Sequence, residues 1–221
     1  MTNVYFIPGM GAGCKVFDRL ELPDQYQKIY LEWRLPNADE TLDDYAKSYA
    51  LKINKAEPFV LVGYSFGGIL VQEMNKYLVP EKTILLASIK DTKQRPDNFS
   101  FFKKIHVEKA MKPWLFNEKL ISWIFTHFVY KTKEKVNMKD FLPQLNASYM
   151  RWAIKEILNW KPTILIDNLY QIHGTKDLTF PYRKIKNNSD QKLYTIKGSG
   201  HLLVLEKPIE VSRTLMEILQ K

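Results

Sequence analysis

All nine glycines of this 221-residue chain fall in four places, each just past a short apolar, β-prone run. Gly9, Gly11 and Gly13 come after VYFI, and Gly63, Gly67 and Gly68 after FVLV. Gly174 comes after LYQI, and Gly198 and Gly200 after KLYTI. Glycine is required where a backbone must adopt positive φ or approach another group closely. Four such loops after four strands predict a common sheet edge. In open α/β sheets, ligands sit in the crevice outside the carboxyl ends of the strands.

Strands are expected at 3–7, 28–33, 59–63, 82–88, 168–173 and 191–196. Helical stretches alternate with them, at 41–54, 66–79 and 208–221. Thr41 is placed to cap the first, with Asp43 and Asp44 favouring its positive end. Pro208 suits the first turn of the last. Alternating strand and helix with near-continuously apolar strands predicts a parallel sheet covered on both faces. The alternation breaks at residues 93–161, which lack glycine and hold four of the five tryptophans: Trp114, Trp123, Trp152 and Trp160. The helix-like runs 117–132 and 146–160 mark this segment as a helical cap insertion, leaving 1–92 and 162–221 as the core.

At 45% apolar content the chain can build one continuous core. Its amino terminus, MTNVYFIPGM, does not read as a signal peptide, and no uncharged apolar run is long enough to span a bilayer. Cys14, the single cysteine, excludes an internal disulfide and a cysteine-based metal site. A cytoplasmic setting without cofactor or metal is therefore expected. Of the net charge of +9, residues 90–161 contribute +8, from fifteen Lys/Arg against seven Asp/Glu. That excess is spread along helical, aromatic-rich sequence and accompanies no nucleic-acid recognition motif, so a solvated face is the expected reading.

The sharpest chemical signal is Gly63-Tyr64-Ser65-Phe66-Gly67, with Gly68 next, set between a strand and a helix. G-x-S-x-G in that context projects a serine hydroxyl from a strained turn. A serine hydroxyl needs a base, and the base needs an orienting acid. His201, in Gly198-Ser199-Gly200-His201, is the leading base; His106, His127 and His173 compete, the first two within the insertion. His173 is better read as buttressing the turn at Gly174. Asp177, in HGTKD, is the leading acid, with Asp91 its rival. Developing negative charge would be met by the backbone amides of Phe66 and of Met10 in the loop Pro8–Gly13. That loop lacks the complete G-x-G-x-x-G pattern, and G-x-x-x-x-G-K-S/T does not occur, which argues against nucleotide binding. Cys14 beside the loop reads as a small packed residue.

In these residues the chain resembles the α/β-hydrolase superfamily over essentially all of its length outside the insertion. The matching segments are Pro8-Gly9-Met10-Gly11, Gly63-Tyr64-Ser65-Phe66-Gly67-Gly68, His173-Gly174-Thr175-Lys176-Asp177 and Gly198-Ser199-Gly200-His201. The resemblance implies a three-layer α/β fold with a mostly parallel sheet of about six strands, ordered 2-1-3-4-5-6, beneath a helical cap. It maps nucleophile, acid and base onto Ser65, Asp177 and His201. There are two departures. Pro8-Gly9 replaces the usual His-Gly, and the family's first antiparallel hairpin is missing. The expected activity is hydrolysis of a carboxylic ester or thioester with an apolar acyl part, the lysines of the insertion being available to an anionic group. Two alternatives stay open: C–C bond hydrolysis or elimination by the same residues, and non-catalytic binding of a small ligand.

Overall fold

A computed structural model of the chain describes residues 1–110, 112 and 146–221. The run 117–132, with Trp123 and His127, and also Trp114, lies outside the described residues. The strands are β1 (Thr2–Ile7), β2 (Tyr26–Tyr30), β3 (Phe59–Tyr64), β4 (Lys82–Leu86), β5 (Leu169–Gly174) and β6 (Leu193–Ile196). They form one sheet in the order β2-β1-β3-β4-β5-β6, every pair parallel. The helices are α1 (Leu42–Ala50), α2 (Phe66–Met74), α3 (Phe99–Lys104), α4 (Val107–Ala110), α5 (Ala147–Asn159), α6 (Tyr182–Asn187), α7 (Leu203–Glu206) and α8 (Pro208–Leu219).

Side chains alternate across a strand, so each strand feeds two cores. Tyr5 and Ile7 of β1 and Leu61 of β3 pack with α1, α2 and α5 on one face. Val4, Phe6, Val60 and Val62 pack with α8 and residues 14–20 on the other. β3, at the centre, is buried at every position. Burying each of its Val, Leu and Phe side chains contributes roughly 1.5–3 kcal/mol before entropy is counted.

Helix boundaries follow local chemistry. Thr41 caps α1 through a reciprocal box, its hydroxyl accepting from the Asp44 amide (3.1 Å) while Asp44 Oδ2 accepts from the Thr41 amide (3.3 Å). The Asn146 side chain accepts from the amides of Ser148 and Tyr149 and starts α5. Several elements are shorter than the sequence predicts. β4 stops at Leu86 instead of 88 because Ala87 turns to φ 45°. β2 lies at 26–30 instead of 28–33 because its register is set by β1, where Thr2 pairs with Tyr26.

Candidate active site

Ser65 sits between β3 and α2 with φ 52° and ψ −115°, a conformation L residues rarely hold. Its surroundings make that turn obligatory. A Cβ on Gly63 would lie 2.3 Å from the Gly67 carbonyl oxygen, and one on Gly67 would lie 2.3 Å from that of Ile7. The turn is tied from behind, since the Ser65 amide donates to the Leu86 carbonyl (2.8 Å) and Ser88 Oγ donates to the Ser65 carbonyl (2.7 Å). The hydroxyl is thereby held at the carboxyl edge of the sheet.

Two other loops of the same edge converge on it. His201 Nε2 lies 2.9 Å from Ser65 Oγ, and His201 Nδ1 lies 2.8 Å from Asp177 Oδ2. With Asp177 as acceptor, Nδ1 carries the proton, and Nε2 is left to accept from the serine hydroxyl. The three residues predicted from separate loops are thus brought into one hydrogen-bonded line. Asp91 is not part of it: its Oδ1 accepts from the Lys93 amide (2.6 Å) and starts a 3₁₀ turn. His106 is exposed beside Glu108.

Asp177 is wholly buried and saturated with donors. Oδ1 accepts from the amides of Thr179 (2.8 Å) and Phe180 (3.0 Å). Oδ2 accepts from His201 and also from His173 Nε2, 3.1 Å away. Burial alone would raise this carboxyl, but its electrostatic attraction to His201 and the hydrogen bonds from His173 and His201 outweigh it and hold it far below the usual carboxylate range. His173 therefore does more than support its turn. Its Nε2 faces the Phe180 carbonyl (2.9 Å) as well, so that nitrogen bears the proton, while Nδ1 is buried without a partner.

Other supports carry no motif in the sequence. Glu206 Oε2 accepts from Ser199 Oγ (2.8 Å) and the Gly200 amide (2.7 Å), pinning the His201 loop. Tyr64 Oη donates to the His201 carbonyl (3.1 Å). Trp33 Nε1 donates to the Gly9 carbonyl (2.8 Å), which also accepts from the Ala12 amide (3.0 Å). A peptide is planar and no cis bond occurs among the described residues, so the Met10 N–H points opposite to that anchored carbonyl. The Phe66 amide opens α2, where it has no acceptor within the helix. Gly9 lies against Ser65, since a Cβ on it would come 3.4 Å from Ser65 Cβ. Cys14 is packed away, and burial together with Glu32 pushes its thiol up, which makes it a poor nucleophile.

Around the site, Phe66 stacks on Trp33 (centroids 5.1 Å, 11° between planes) and meets Trp152 of α5 edge-on. Phe180 packs against the His201 ring at 5.6 Å. Among the described residues no helix is long and apolar enough to cross a membrane, and no group of three His, Cys, Asp or Glu could hold a metal ion.

A parallel sheet of this order, with its serine, histidine and aspartate at one edge, defines an α/β-hydrolase fold. The chain belongs to the alpha/beta hydrolase family, whose family model matches residues 4–214. Among solved structures it is similar to a thermophilic esterase from Thermogutta terrifontis, with TM-score 0.73 and 16% identity over 100% of this chain and 90% of that one. It is similar also to a carboxylesterase structure from Nitrososphaera gargenis, with TM-score 0.71 and 15% identity over 99% and 90%. A Bacillus megaterium epoxide hydrolase gives 0.69 and 14% over 100% and 94%. No curated protein sequence matches the chain at a significant level.

Proposed function

We propose that this protein is a serine hydrolase that cleaves a carboxylic ester or thioester through an acyl-Ser65 intermediate. The observation that carries the reading is the unbroken hydrogen-bonded line from the Ser65 hydroxyl through His201 to the buried Asp177. Ser65 Oγ attacks the acyl carbon as His201 Nε2 takes its proton, and ionised Asp177 stabilises the imidazolium. The amides of Met10 and Phe66 receive the developing oxyanion. Collapse expels the alkoxide or thiolate, which takes the proton back from His201. Water, deprotonated by the same nitrogen, then attacks the acyl-enzyme, and the acid leaves with Ser65 restored.

The aromatic cluster of Trp33, Phe66, Trp152 and Phe180 packed around the site agrees with an apolar acyl group. We take 93–161 as the cap insertion, of which residues 111 and 113–145 lie outside the described residues, and the lone buried thiol suits a cytoplasmic setting. Two of the similar structures are esterases by name, which agrees with this choice within a family of varied chemistry.

The test is hydrolysis of p-nitrophenyl esters of graded acyl length by the wild type and Ser65→Ala. Turnover is expected to fall by about 10⁴-fold or more with the unfolding midpoint retained. Unchanged hydrolysis of a short ester by the variant would remove the assignment. Trapping of an acyl-enzyme separates this reaction from elimination or C–C cleavage, which need not acylate the serine.

A further inference from the structure

Two nitrogens of Arg95, Nε and Nη2, are buried with no hydrogen-bond partner. Desolvating a guanidinium without an acceptor is unfavourable, and such groups are ordinarily paired. Arg95 is also poorly placed to seek a partner elsewhere. Its amide closes the turn on the Thr92 carbonyl (3.2 Å). The preceding Gln94 is fully buried and donates to Gln171 Oε1, the Asn188 carbonyl and Ser189 Oγ while accepting from the Lys90 amide. Asp91, the carboxylate whose charge acts on Arg95, has Oδ1 engaged by the Lys93 amide.

Arg95 is among the residues bordering a cavity of about 390 Å³ between this turn, α3, the end of α5 and α6, and its two partnerless nitrogens lie just beneath that surface. Lys93, Lys103 and Lys184 line it too, with Phe99 and Leu158 as apolar walls. Asp97, the one acidic lining residue described, is already paired with Lys184. Four cations against one carboxylate form a local excess of positive charge that anions relieve. Burial lowers the pKa of Arg95, with Asp91 opposing, yet a guanidinium stays charged throughout the working range. Two rings stand between the cavity and the histidine: Phe99, on the cavity, lies 6.2 Å from Phe180, whose ring lies 5.6 Å from that of His201.

We propose that this cavity is an anion subsite in which Arg95, supported by the lysines, binds the carboxylate or phosphate group of a small molecule. The group belongs either to the far end of the substrate cleaved at Ser65 or to a separate anion. Only the first source rests on the serine-hydrolase reading.

Two measurements on the full chain test this, in the wild type and Arg95→Gln. In the first, inorganic phosphate at constant ionic strength is expected to raise the thermal midpoint of the wild type and leave that of Arg95→Gln unmoved. In the second, p-nitrophenyl esters ending in a free carboxylate are compared with the same esters methylated there. The wild type is expected to favour the acid by about tenfold in kcat/KM, the size of one charge-assisted hydrogen bond, and Arg95→Gln to bring that ratio to about one. Loss of both effects in the variant places the anion on the substrate; loss of the phosphate effect alone assigns the cavity to a free anion. A phosphate shift and an ester ratio both indifferent to Arg95→Gln would overturn the proposal. Should that variant fail to fold, Lys93→Gln combined with Lys103→Gln is expected to weaken both effects and takes its place. If Ser65→Ala proves as active as the wild type, the hydrolase reading fails, and the phosphate measurement still judges the cavity.

Discussion

Four hydrogen-bond donors converge on the two oxygens of Asp177, and one of them, His173, lies outside the serine–histidine line. Asp177→Asn is expected to lower turnover by about 10⁴-fold, because an amide no longer enforces the His201 tautomer that accepts from Ser65. The same carboxyl should be legible in acid unfolding. Its folded pKa lies below the unfolded value of about 3.9, so its ionisation contributes stability above about pH 4 that is lost as pH falls further. Urea titrations should find the stability gap between wild type and Asp177→Asn closing below pH 4; a gap that widens on acidification would contradict the assignment. His173 acts as a positioning residue. His173→Leu is expected to lower kcat about tenfold, the loss of one hydrogen bond to a charged group, and His173→Gln, which keeps a donor near Nε2, to restore most of it. Equal loss in both variants would mean that His173 only fills space.

At the scale of elements, the β3–Ser65–α2 unit is held between the loop after β1 and the loop after β4. Gly67→Ala would drive a Cβ into the Ile7 and Pro8 carbonyls, which belong to the segment carrying Met10. Ester hydrolysis is expected to be abolished and the urea midpoint lowered. Thr41→Ala tests a different joint, the α1 cap, and is expected to cost about 1 kcal/mol in urea unfolding with hydrolysis retained. These two features were legible in the sequence because each depends on a local rule: a glycine where a Cβ cannot fit, a threonine three residues before an aspartate. Element ends were less legible. The run QKIYLEW carries no internal mark of where pairing with β1 stops, and nothing in LLAS announces the positive φ of Ala87. Neither Glu206 nor Tyr64 could be assigned its contacts with the His201 loop, since these exist only once β3, β6 and α7 have closed together.

Over the whole molecule, strand order and the meeting of Ser65, Asp177 and His201 at one edge followed from glycine placement and family resemblance together. The attachment of α5 did not. Its tryptophans read as cap aromatics, whereas two indoles reach into the core: Trp152 Nε1 donates to the Glu40 carbonyl, and Trp160 Nε1 to Glu73 Oε1, both at 2.7 Å. Trp160→Phe would leave the buried Glu73 carboxylate with one donor fewer, beside Lys76, and is expected to destabilise the protein by about 1–3 kcal/mol in chemical denaturation. These two rivets fasten α5 at its middle and at its carboxyl end, to the turn before α1 and to α2. The helix takes its seat as the chain folds, and the edge contact of Trp152 with the Phe66 ring beside Ser65 is fixed along with it.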